Sequence, residues 1–273
     1  ATPRLYGEAD GWATHMLWGM GIAERDLDFD GKTEVFLSSM GDKRGMKRVS
    51  AETPTFADVP YEMGTSAHRP YTGGDGRPST GWHISFGDVD NDGLDDVFIA
   101  KGNVQQMPGA AMDDPNNLLM QQVDGTFAEQ GDVAGIATLA RSRGAALVDM
   151  NHDGLLDLAV VNRRAPLEIY QNVTESTGNW VALTLMGKEA NSQAVGAFIE
   201  VKVGDHVHLR EITVGGGHAG GVSGPQHFGL GDADKVEVRV RWPDGTQGDW
   251  IEVPVNGSWR LWSEGPVTVL SAY

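Results

Sequence analysis

Acidic side chains recur along this chain in three short segments of one pattern, and their types and spacing could hold a metal ion. The pattern is D-x-[DN]-x-D-G-x-x-[DE], and the segments span residues 26–34, 88–96 and 149–157. Side chains at positions 1, 3 and 5 of a tight turn can converge on one centre, glycine at position 6 permits the bend, and an acid at position 9 can close the site. Several hard, anionic oxygens in one turn are typical of Ca²⁺ sites.

We call these segments loop 1, loop 2 and loop 3. Loops 1 and 2 have four carboxylates each, whereas loop 3 has three carboxylates and one amide, so we expect loop 3 to bind Ca²⁺ more weakly. Position 7 adds a backbone carbonyl. The predicted ligands of about three structural Ca²⁺ ions are Asp26, Asp28, Asp30, Lys32 and Glu34 in loop 1, Asp88, Asp90, Asp92, Leu94 and Asp96 in loop 2, and Asp149, Asn151, Asp153, Leu155 and Asp157 in loop 3.

Two other interpretations of the loops are less consistent with the sequence. An EF-hand needs Glu at position 12 followed by a helix, but position 12 here is Leu37, Ile99 or Val160, each in an apolar run. A single Asp-Gly motif is often a plain β-turn. Three such motifs with a period of about 61 residues, each with the closing acid, form an internal repeat and favour calcium binding.

The flanks of the loops repeat as well and predict β-strands. A stretch of small residues precedes each loop, and an apolar run follows it, at residues 35–37, 97–100 and 158–161. Further strands are predicted at 55–59 and 125–129. About ten extra residues lie between loop 2 and the second of these strands, and they and the Gly- and Pro-rich segment 64–81 are predicted to be surface loops.

The three loops and their flanks, over about residues 10–172, resemble FG-GAP/VCBS repeats, the calcium-binding blades of integrin-α-type β-propellers. The resemblance implies one four-stranded blade per repeat and usually seven blades in a closed ring. Residues 1–172 hold fewer than three full repeats, while propellers have about 4–8 blades. We therefore expect the missing N-terminal blades, or another protein chain, to complete the propeller.

The remaining residues, 173–273, contain no acidic loop and predict about eight strands in a small β-sandwich. Local similarity to the ASPIC/UnbV domain is found at residues 179–180, 191–197, 226–231 and 241–245. That family commonly has Gly-Ala-Arg where this chain has Gly196, Ala197 and Phe198, so no role of that Arg is carried over. The resemblance implies an all-β chain with two domains, 1–172 and 173–273, of the cartilage-acidic-protein-like group, which is mostly secreted or periplasmic.

Several other side chains are candidates for a site, each with a simpler explanation. His206 and His208 alternate on one strand and could share a metal, although a partly exposed strand face is commoner. His218 lies in the glycine-rich run 215–221, which could cradle a phosphate, but P-loop residues do not follow it, and a hairpin or interface loop is favoured. Core packing is favoured for Trp250, Trp259 and Trp262 over a sugar platform, and a solvated loop for the basic residues Lys43, Arg44, Lys47 and Arg48.

Composition excludes further classes of function. A net charge of −17 over 273 residues argues against nucleic-acid binding, and the absence of Cys excludes disulfides and thiol catalysis. No apolar run is long enough for a transmembrane segment. Because the chain lacks both an initial Met and a signal-type start, we expect a processed or trimmed product.

The sequence therefore predicts a calcium-stabilised, non-catalytic, extracytoplasmic interaction module or subunit of a larger assembly. No nucleophile elbow is present, and the grouped carboxylates are assigned to metal. The alternative is a fragment of a propeller enzyme that acts on polysaccharide or another extracellular substrate. The pair Trp82 and His83, just before loop 2, is the candidate catalytic site in that case.

Overall fold

The fold is known from a computed structural model of the chain. It describes residues 4–10, 17–40, 43–50, 52–65, 80–103, 114–221, 223–265 and 268–271. Most of the predicted surface loop at 64–81, and the extra residues after loop 2, lie outside the described residues.

The first three sheets follow one another along the chain, and in each of them consecutive strands pair antiparallel. Sheet 1 has the order β1 (Gly19–Arg25), β2 (Glu34–Ser39), β3 (Arg44–Arg48), β4 (Phe56–Asp58). Sheet 2 has the order β5 (Gly81–Gly87), β6 (Asp96–Lys101), β7 (Asn117–Gln121), β8 (Phe127–Glu129), and sheet 3 consists of β9 (Ser142–Val148), β10 (Asp157–Asn162), β11 (Glu168–Tyr170). Each of the three loops joins the first and second strands of its sheet.

Strand β6 shows why the apolar runs after the loops are continuous rather than alternating. Val97 and Ile99 pack with residues of sheet 1, while Phe98 and Ala100 pack with residues of sheet 3. Side chains alternate between the faces of a strand, so a sheet covered on both faces needs apolar residues at every position. All four side chains are buried, and sheet 2 is thus held between its two neighbours.

The last two sheets are built from the eight strands between residues 179 and 271. Sheet 4 has the order β15 (Gln226–Gly231), β12 (Asn179–Met186), β18 (Gly257–Trp262), β19 (Thr268–Ser271), and β12 and β18 run parallel. Sheet 5 has the order β14 (His206–Glu211), β13 (Phe198–Val203), β16 (Val236–Arg241), β17 (Ile251–Val253). One hydrophobic core contains side chains of both sheets, among them Leu183 and Phe228 from sheet 4 and Ile199 and Val238 from sheet 5.

The all-β prediction is confirmed, and the small antiparallel sheets have the strand order of propeller blades. The detail differs from the prediction of about three blades and a sandwich-like domain, because the described strands form five sheets and sheet 3 has three strands instead of four. The eight strands expected after residue 173 are confirmed. Across the described ranges, no helix has the length and hydropathy needed to cross a bilayer.

Sheet 3 leaves one apolar face uncovered by the described residues. Leu158 and Val160 point into the core shared with sheet 2, whereas Ala159 and Val161, which alternate with them, are half-buried and exposed respectively. Val161 and Ile169 are 54% and 62% exposed, and Val148 at the end of β9 is 38% exposed. Sheet 2 has neighbours on both faces, so this open face is where a further sheet would pack.

Candidate metal centres

All three loops adopt the same backbone conformation, which follows from the residues at positions 4 and 6. The φ angles at position 4 are 60° for Phe29, 58° for Asn91 and 63° for His152. At position 6 they are 77° for Gly31, 93° for Gly93 and 89° for Gly154. Two left-handed residues so close together bend the chain sharply enough for the side chains at positions 1, 3 and 9 to approach one another.

The same two hydrogen bonds hold each loop in this shape. The carboxylate at position 1 accepts from the N–H of the glycine at position 6, at 3.0 Å in Asp26, 2.8 Å in Asp88 and 2.9 Å in Asp149. The acid at position 9 accepts from the N–H at position 2, at 2.9 Å in Glu34, 3.0 Å in Asp96 and 2.9 Å in Asp157. In loop 1 the second oxygens, Oδ1 of Asp26 and Oε1 of Glu34, have no hydrogen-bond partner, whereas in loop 2 the second oxygens of Asp88 and Asp96 accept from the N–H groups of Asp92 and Gln121.

Carboxylates converge in loops 1 and 2. In loop 1 the group is Asp26, Asp28 and Glu34, and in loop 2 it is Asp88, Asp90 and Asp96; the ligand atoms within each group lie within 4.8 Å of one another. Among the described residues, loop 3 does not form such a group. The structure therefore brings together the predicted carboxylate ligands at positions 1, 3 and 9 of loops 1 and 2, whereas loop 3 has the amide of Asn151 at position 3 and offers only two carboxylates at these positions.

Buried oxygens without partners show that these two groups suit a cation. Oδ1 of Asp26, Oε1 of Glu34 and Oδ1 of Asp90 are buried and have no hydrogen-bond partner. Leaving a buried acceptor unpaired costs about 1–3 kcal/mol, more for a charged group. A hard cation with oxygen ligands, as Ca²⁺ requires, would satisfy all of them, so the residues present fit the ion.

Burial and crowding also oppose ionisation of these acids when no metal is bound. Burial raises the pKa of Asp26 to about 6, that of Glu34 to about 7 and that of Asp96 to about 8. For Asp88, burial and the neighbouring charge of Asp96 raise the pKa well above its usual range. A divalent ion reverses this effect, because its positive charge favours the ionised carboxylates.

The acids at position 5, Asp30 and Asp92, were predicted as ligands but belong to neither of these carboxylate groups. Asp30 forms ion pairs with Lys32 at 2.6 Å and Lys47 at 3.2 Å, and Lys47 also contacts Asp28. Asp92 accepts from the backbone N–H of Leu94 at 2.8 Å. Loop 1 thus has an ammonium group beside its carboxylates, whereas no ion pair among the described residues involves Asp88, Asp90 or Asp96 of loop 2.

Asn91, at position 4 of loop 2, connects this loop to loop 3 and to sheet 4. Its Nδ2 donates to the carbonyl of Gly154 at 3.0 Å, and its Oδ1 lies 2.8 Å from Nε2 of His227. Its backbone carbonyl accepts from the N–H of Gly231 at 2.9 Å. Because burial and then Arg210 lower the pKa of His227 to about 3, the imidazole is neutral and can donate to Asn91 through Nε2.

Asp95 is the acid of loop 2 that serves as an ion-pair partner. Its carboxylate lies 3.3 Å from Nε of Arg25 on β1 and 3.3 Å from Nη2 of Arg210 on β14. Burial opposes ionisation of Asp95, but the two guanidinium groups outweigh it and hold its pKa below the ordinary value. One buried carboxylate thereby joins sheet 1, loop 2 and sheet 5, and removing it would leave two buried charges unpaired.

An open cleft of about 420 Å³ lies between loop 1 and sheet 5, with Asp30 and Arg241 among its lining residues. Beside it, Phe29 packs against His206 and His208, with ring centroids 4.9 and 4.7 Å apart. The favoured interpretation of His206 and His208, a partly exposed strand face, is confirmed, because on β14 the first is exposed and the second half-buried. Neither belongs to a three-ligand group within the described ranges.

The glycine-rich run around His218 is an interface segment, as the favoured interpretation predicted. Gly217 pairs with Ile22 of β1, and the N–H of His218 donates to Nδ1 of His83 at 3.2 Å. Trp82 meets the ring of His218 edge-on, with centroids 5.1 Å apart. His83 is buried, which lowers its pKa to about 4. Both residues of the candidate catalytic pair, Trp82 and His83, therefore contact His218 of this segment.

The predicted solvated basic loop is wrong. Arg44 to Arg48 form β3, because they pair with β2 and β4, and Lys43 is buried. Arg44 forms an ion pair with Asp58 at 3.1 Å. Arg44 and Lys47 thus have acidic partners, which the sequence spacing alone did not show.

Core packing is confirmed for one of the three tryptophans. Trp259 packs against the core shared by sheets 4 and 5. Trp262 is 38% exposed, and Trp250 packs against the guanidinium group of Arg239, 4.3 Å from its ring centroid. The prediction is therefore wrong for Trp262, which lies on a strand whose side chains alternate between the core and solvent.

Sequence reasoning missed the residues that attach loop 2 to the C-terminal sheets. A Cβ atom on Gly229 of β15 would lie 1.9 Å from Oδ2 of Asp88, so only glycine allows this approach. Asn91 and Asp95 do not occupy ligand positions of the repeat. Asn91 at position 4 could have indicated the left-handed turn of loop 2 from sequence, because Asn tolerates that conformation better than most residues.

Comparison with known proteins supports part of the resemblance. The family model described as ASPIC and UnbV matches residues 187–267. Cartilage acidic protein 1 of Homo sapiens is 25% identical over 233 residues, which cover 83% of this chain and 33% of that protein. The proteins of the same name from Mus musculus and Xenopus tropicalis are also 25% identical, over 83% of this chain and 34% of each relative. The chain spans about a third of the length of these relatives.

Among solved structures, the chain is similar to PorZ, described as an essential bacterial surface component of the type-IX secretion system of Porphyromonas gingivalis. The identity is 14%, the match covers 86% of this chain and 30% of that chain, and the TM-score is 0.32. A likeness at this level carries no argument about function. The FG-GAP/VCBS resemblance of the loops remains a prediction. The chain thus has an ASPIC/UnbV region at residues 187–267 and is related over most of its length to the cartilage acidic proteins.

Proposed function

We propose that this chain is a calcium-stabilised, non-catalytic interaction module of an extracytoplasmic protein. Loops 1 and 2 bind one Ca²⁺ each, and loop 3 binds a third ion more weakly. Sheets 1 to 3 serve as propeller blades of the FG-GAP/VCBS type, and sheets 4 and 5 pack around one shared core. The extracytoplasmic setting is supported by the relatives, which are named for cartilage.

One observation carries the calcium proposal. Loops 1 and 2 have the same conformation, and in each of them three carboxylate groups converge and one or more buried oxygens have no hydrogen-bond partner. The chain has no cysteine that could serve as a ligand instead. Two of the three acids in each group are buried, and acids so close together repel one another unless a cation lies between them. The role is structural, because loop 2 also contacts sheet 4 through Asn91 and sheet 5 through Asp95.

Replacing Asp90 with alanine is expected to reduce the number of bound Ca²⁺ ions by one. Oδ1 of Asp90 has no hydrogen-bond partner within the protein. The substitution therefore removes a metal ligand without breaking a hydrogen bond of that atom. Isothermal calorimetry on the metal-free protein measures the stoichiometry. The matched control is Asp234→Ala, which removes an exposed acid outside the loops. Unchanged stoichiometry in a folded Asp90→Ala variant would falsify the ligand assignment.

We further propose that the open face of sheet 3 is covered by additional propeller blades, supplied by the rest of a longer polypeptide or by another protein chain. Val161 and Ile169 are exposed there, while the opposite face of the same sheet is buried against sheet 2. The relatives extend over about three times the length matched here, which is enough chain for further blades.

Ile169→Lys is expected to weaken this association and to leave the stability of the 273-residue chain nearly unchanged. A lysine on a covered face would be buried without a partner, whereas on a free face it is solvated. Native mass spectrometry of the particle from its source, compared with that of the variant, measures the association. Val123→Lys is the control, since Val123 is 97% exposed in a turn of sheet 2. A wild-type particle that contains residues 1–273 and no further blade or chain contradicts the proposal.

A further inference from the structure

Three arginines that are separated in sequence meet at one end of sheet 3. Arg143 lies near the start of β9, Arg141 lies just before that strand, and Arg163 follows β10. The N–H of Arg163 donates to the carbonyl of Arg141 at 3.1 Å, which fixes the two backbones side by side. The cluster lies at the end of the strands opposite to loop 3, because the loop joins the end of β9 to the start of β10.

Arg143 is held rigidly in this cluster and keeps its charge. Its guanidinium group donates to the carbonyls of Gly102 at 2.8 Å and Asn103 at 3.0 Å, and it stacks over the ring of Trp82 at 4.1 Å from the centroid. These partners are dipoles and a π-face, and none of them is an anion. Burial, and then the charges of Arg163 and Arg141, lower the pKa of Arg143 to about 10, so it remains protonated at neutral pH.

No carboxylate of the described residues compensates for this charge. Arg141, Arg143 and Arg163 do not take part in any ion pair across the described ranges, although the protein carries 38 acidic residues against 21 basic ones. The nearby acid Glu168 is engaged with Thr138 at 3.0 Å and with Asn162 at 2.9 Å. The basic cluster at residues 43–48, in contrast, contains two side chains that are paired with acids.

An unused donor shows where a ligand would bind. Nη1 of Arg163 is buried and has no hydrogen-bond partner. A buried donor on a charged group is costly to leave unpaired, and the forked donors of a guanidinium group match the geometry of a planar or tetrahedral oxyanion. The charges of Arg141 and Arg163 both act on Arg143, so the three groups lie close enough to act on one anion. Arg143 supports the site electrostatically and leaves the donors of Arg141 and Arg163 for the ligand.

We propose that Arg141, Arg143 and Arg163 form a binding site for an oxyanion, a carboxylate or sulfate group, at the end of sheet 3 remote from the calcium loops. The anion is either a free ion or a group carried by a larger ligand such as an acidic saccharide. The site is independent of the calcium proposal, because it shares no residue with the loops.

Calorimetric titration of the calcium-loaded chain with sodium sulfate tests the proposal. One saturable site is expected, and Arg163→Gln should weaken binding by about tenfold or more, since a charge-assisted hydrogen bond is lost. Arg141→Gln should have a similar effect. The matched control Arg44→Gln removes the same charge from an exposed ion pair on β3 and should leave sulfate binding unchanged.

Two further arms separate the sources of the anion. Tighter binding of a sulfated disaccharide than of free sulfate indicates a group on a larger ligand, whereas binding of sulfate alone indicates an enclosed ion site. The absence of saturable sulfate and acetate binding to the wild type overturns the proposal. So does an equal loss in Arg44→Gln, because binding would then follow net charge. If the Arg141 and Arg163 variants do not fold, a rise in wild-type melting temperature with sulfate, beyond that with chloride of equal ionic strength, still decides the question.

Discussion

Removal of calcium by a chelator is expected to lower the melting temperature of this protein by of the order of 10 °C. An ion present at about 100 times its dissociation constant adds roughly 2.7 kcal/mol of stability, and each kcal/mol corresponds to about 2–4 °C in chains of roughly this size. Two such ions in loops 1 and 2 give the stated shift. Differential scanning calorimetry with and without chelator measures it, and Ca²⁺ should restore the melting temperature better than Mg²⁺, which demands a smaller octahedral site.

The effect of the chelator should grow as pH rises. The raised pKa values of Asp26, Glu34 and Asp96, about 6, 7 and 8, mean that the folded, metal-free protein favours their protonated forms. For an acid with a raised folded pKa, the stability cost is absent below the unfolded pKa, near 4, and complete above the folded pKa. The metal-free protein should therefore lose stability between about pH 4 and 8, and the calcium-loaded protein should not. Equal melting temperatures with and without chelator at pH 8 would count against structural calcium.

Gly229→Ala is expected to disrupt both loop 2 and its contact with sheet 4. The added Cβ would lie 1.9 Å from Oδ2 of Asp88 and 2.6 Å from Cα of Asn91. Asp88 cannot move away cheaply, because its two oxygens accept from the N–H groups of Asp92 and Gly93. Overpacking of this kind costs about 1–3 kcal/mol. Thermal unfolding should show the loss of stability, and calorimetry should show weaker binding at one calcium site.

The control for this variant is Gly215→Ala. Gly215 also lies in the C-terminal part of the chain, but a Cβ atom added there would have nothing within 4 Å, so the new methyl group meets solvent. Both substitutions replace glycine with alanine and so reduce the backbone entropy of the unfolded chain in the same way. They differ only in the space that the folded protein leaves for the added Cβ atom. A stability loss of equal size in both variants would show that the approach of β15 to loop 2 is unimportant.

The repeat of the loops made much of the N-terminal fold predictable. Position 6 is glycine in every loop and position 1 is always Asp, so one local hydrogen bond fixes the turn, and the strands on either side follow from it. The apolar run at Val97–Ala100 likewise predicted a strand, which the structure shows as β6. These features depend on residues close together in sequence, which is why the sequence alone was sufficient for them.

Contacts between distant segments were not predictable in the same way. Asp95 was assigned to no role, because its partners Arg25 and Arg210 are brought to it by the packing of sheets 1 and 5 around loop 2. The basic segment from Arg44 to Arg48 was interpreted as a solvated loop, since its pairing with strands on both sides depends on sheet register. Charge spacing along the chain does not determine which carboxylate a basic side chain meets.

The parallel pairing of β12 with β18 determines the order in which the two parts of the molecule can fold during synthesis. Sheets 1, 2 and 3 each consist of consecutive strands, so every sheet can form soon after its own residues leave the ribosome. Val181, in contrast, pairs with Gly257, and the central position of β12 in sheet 4 stays open until that partner has been made. The apolar side chains of β12 and β15 are exposed during this interval. The segment from β12 to β18 is therefore a part of the nascent chain that depends on protection against aggregation.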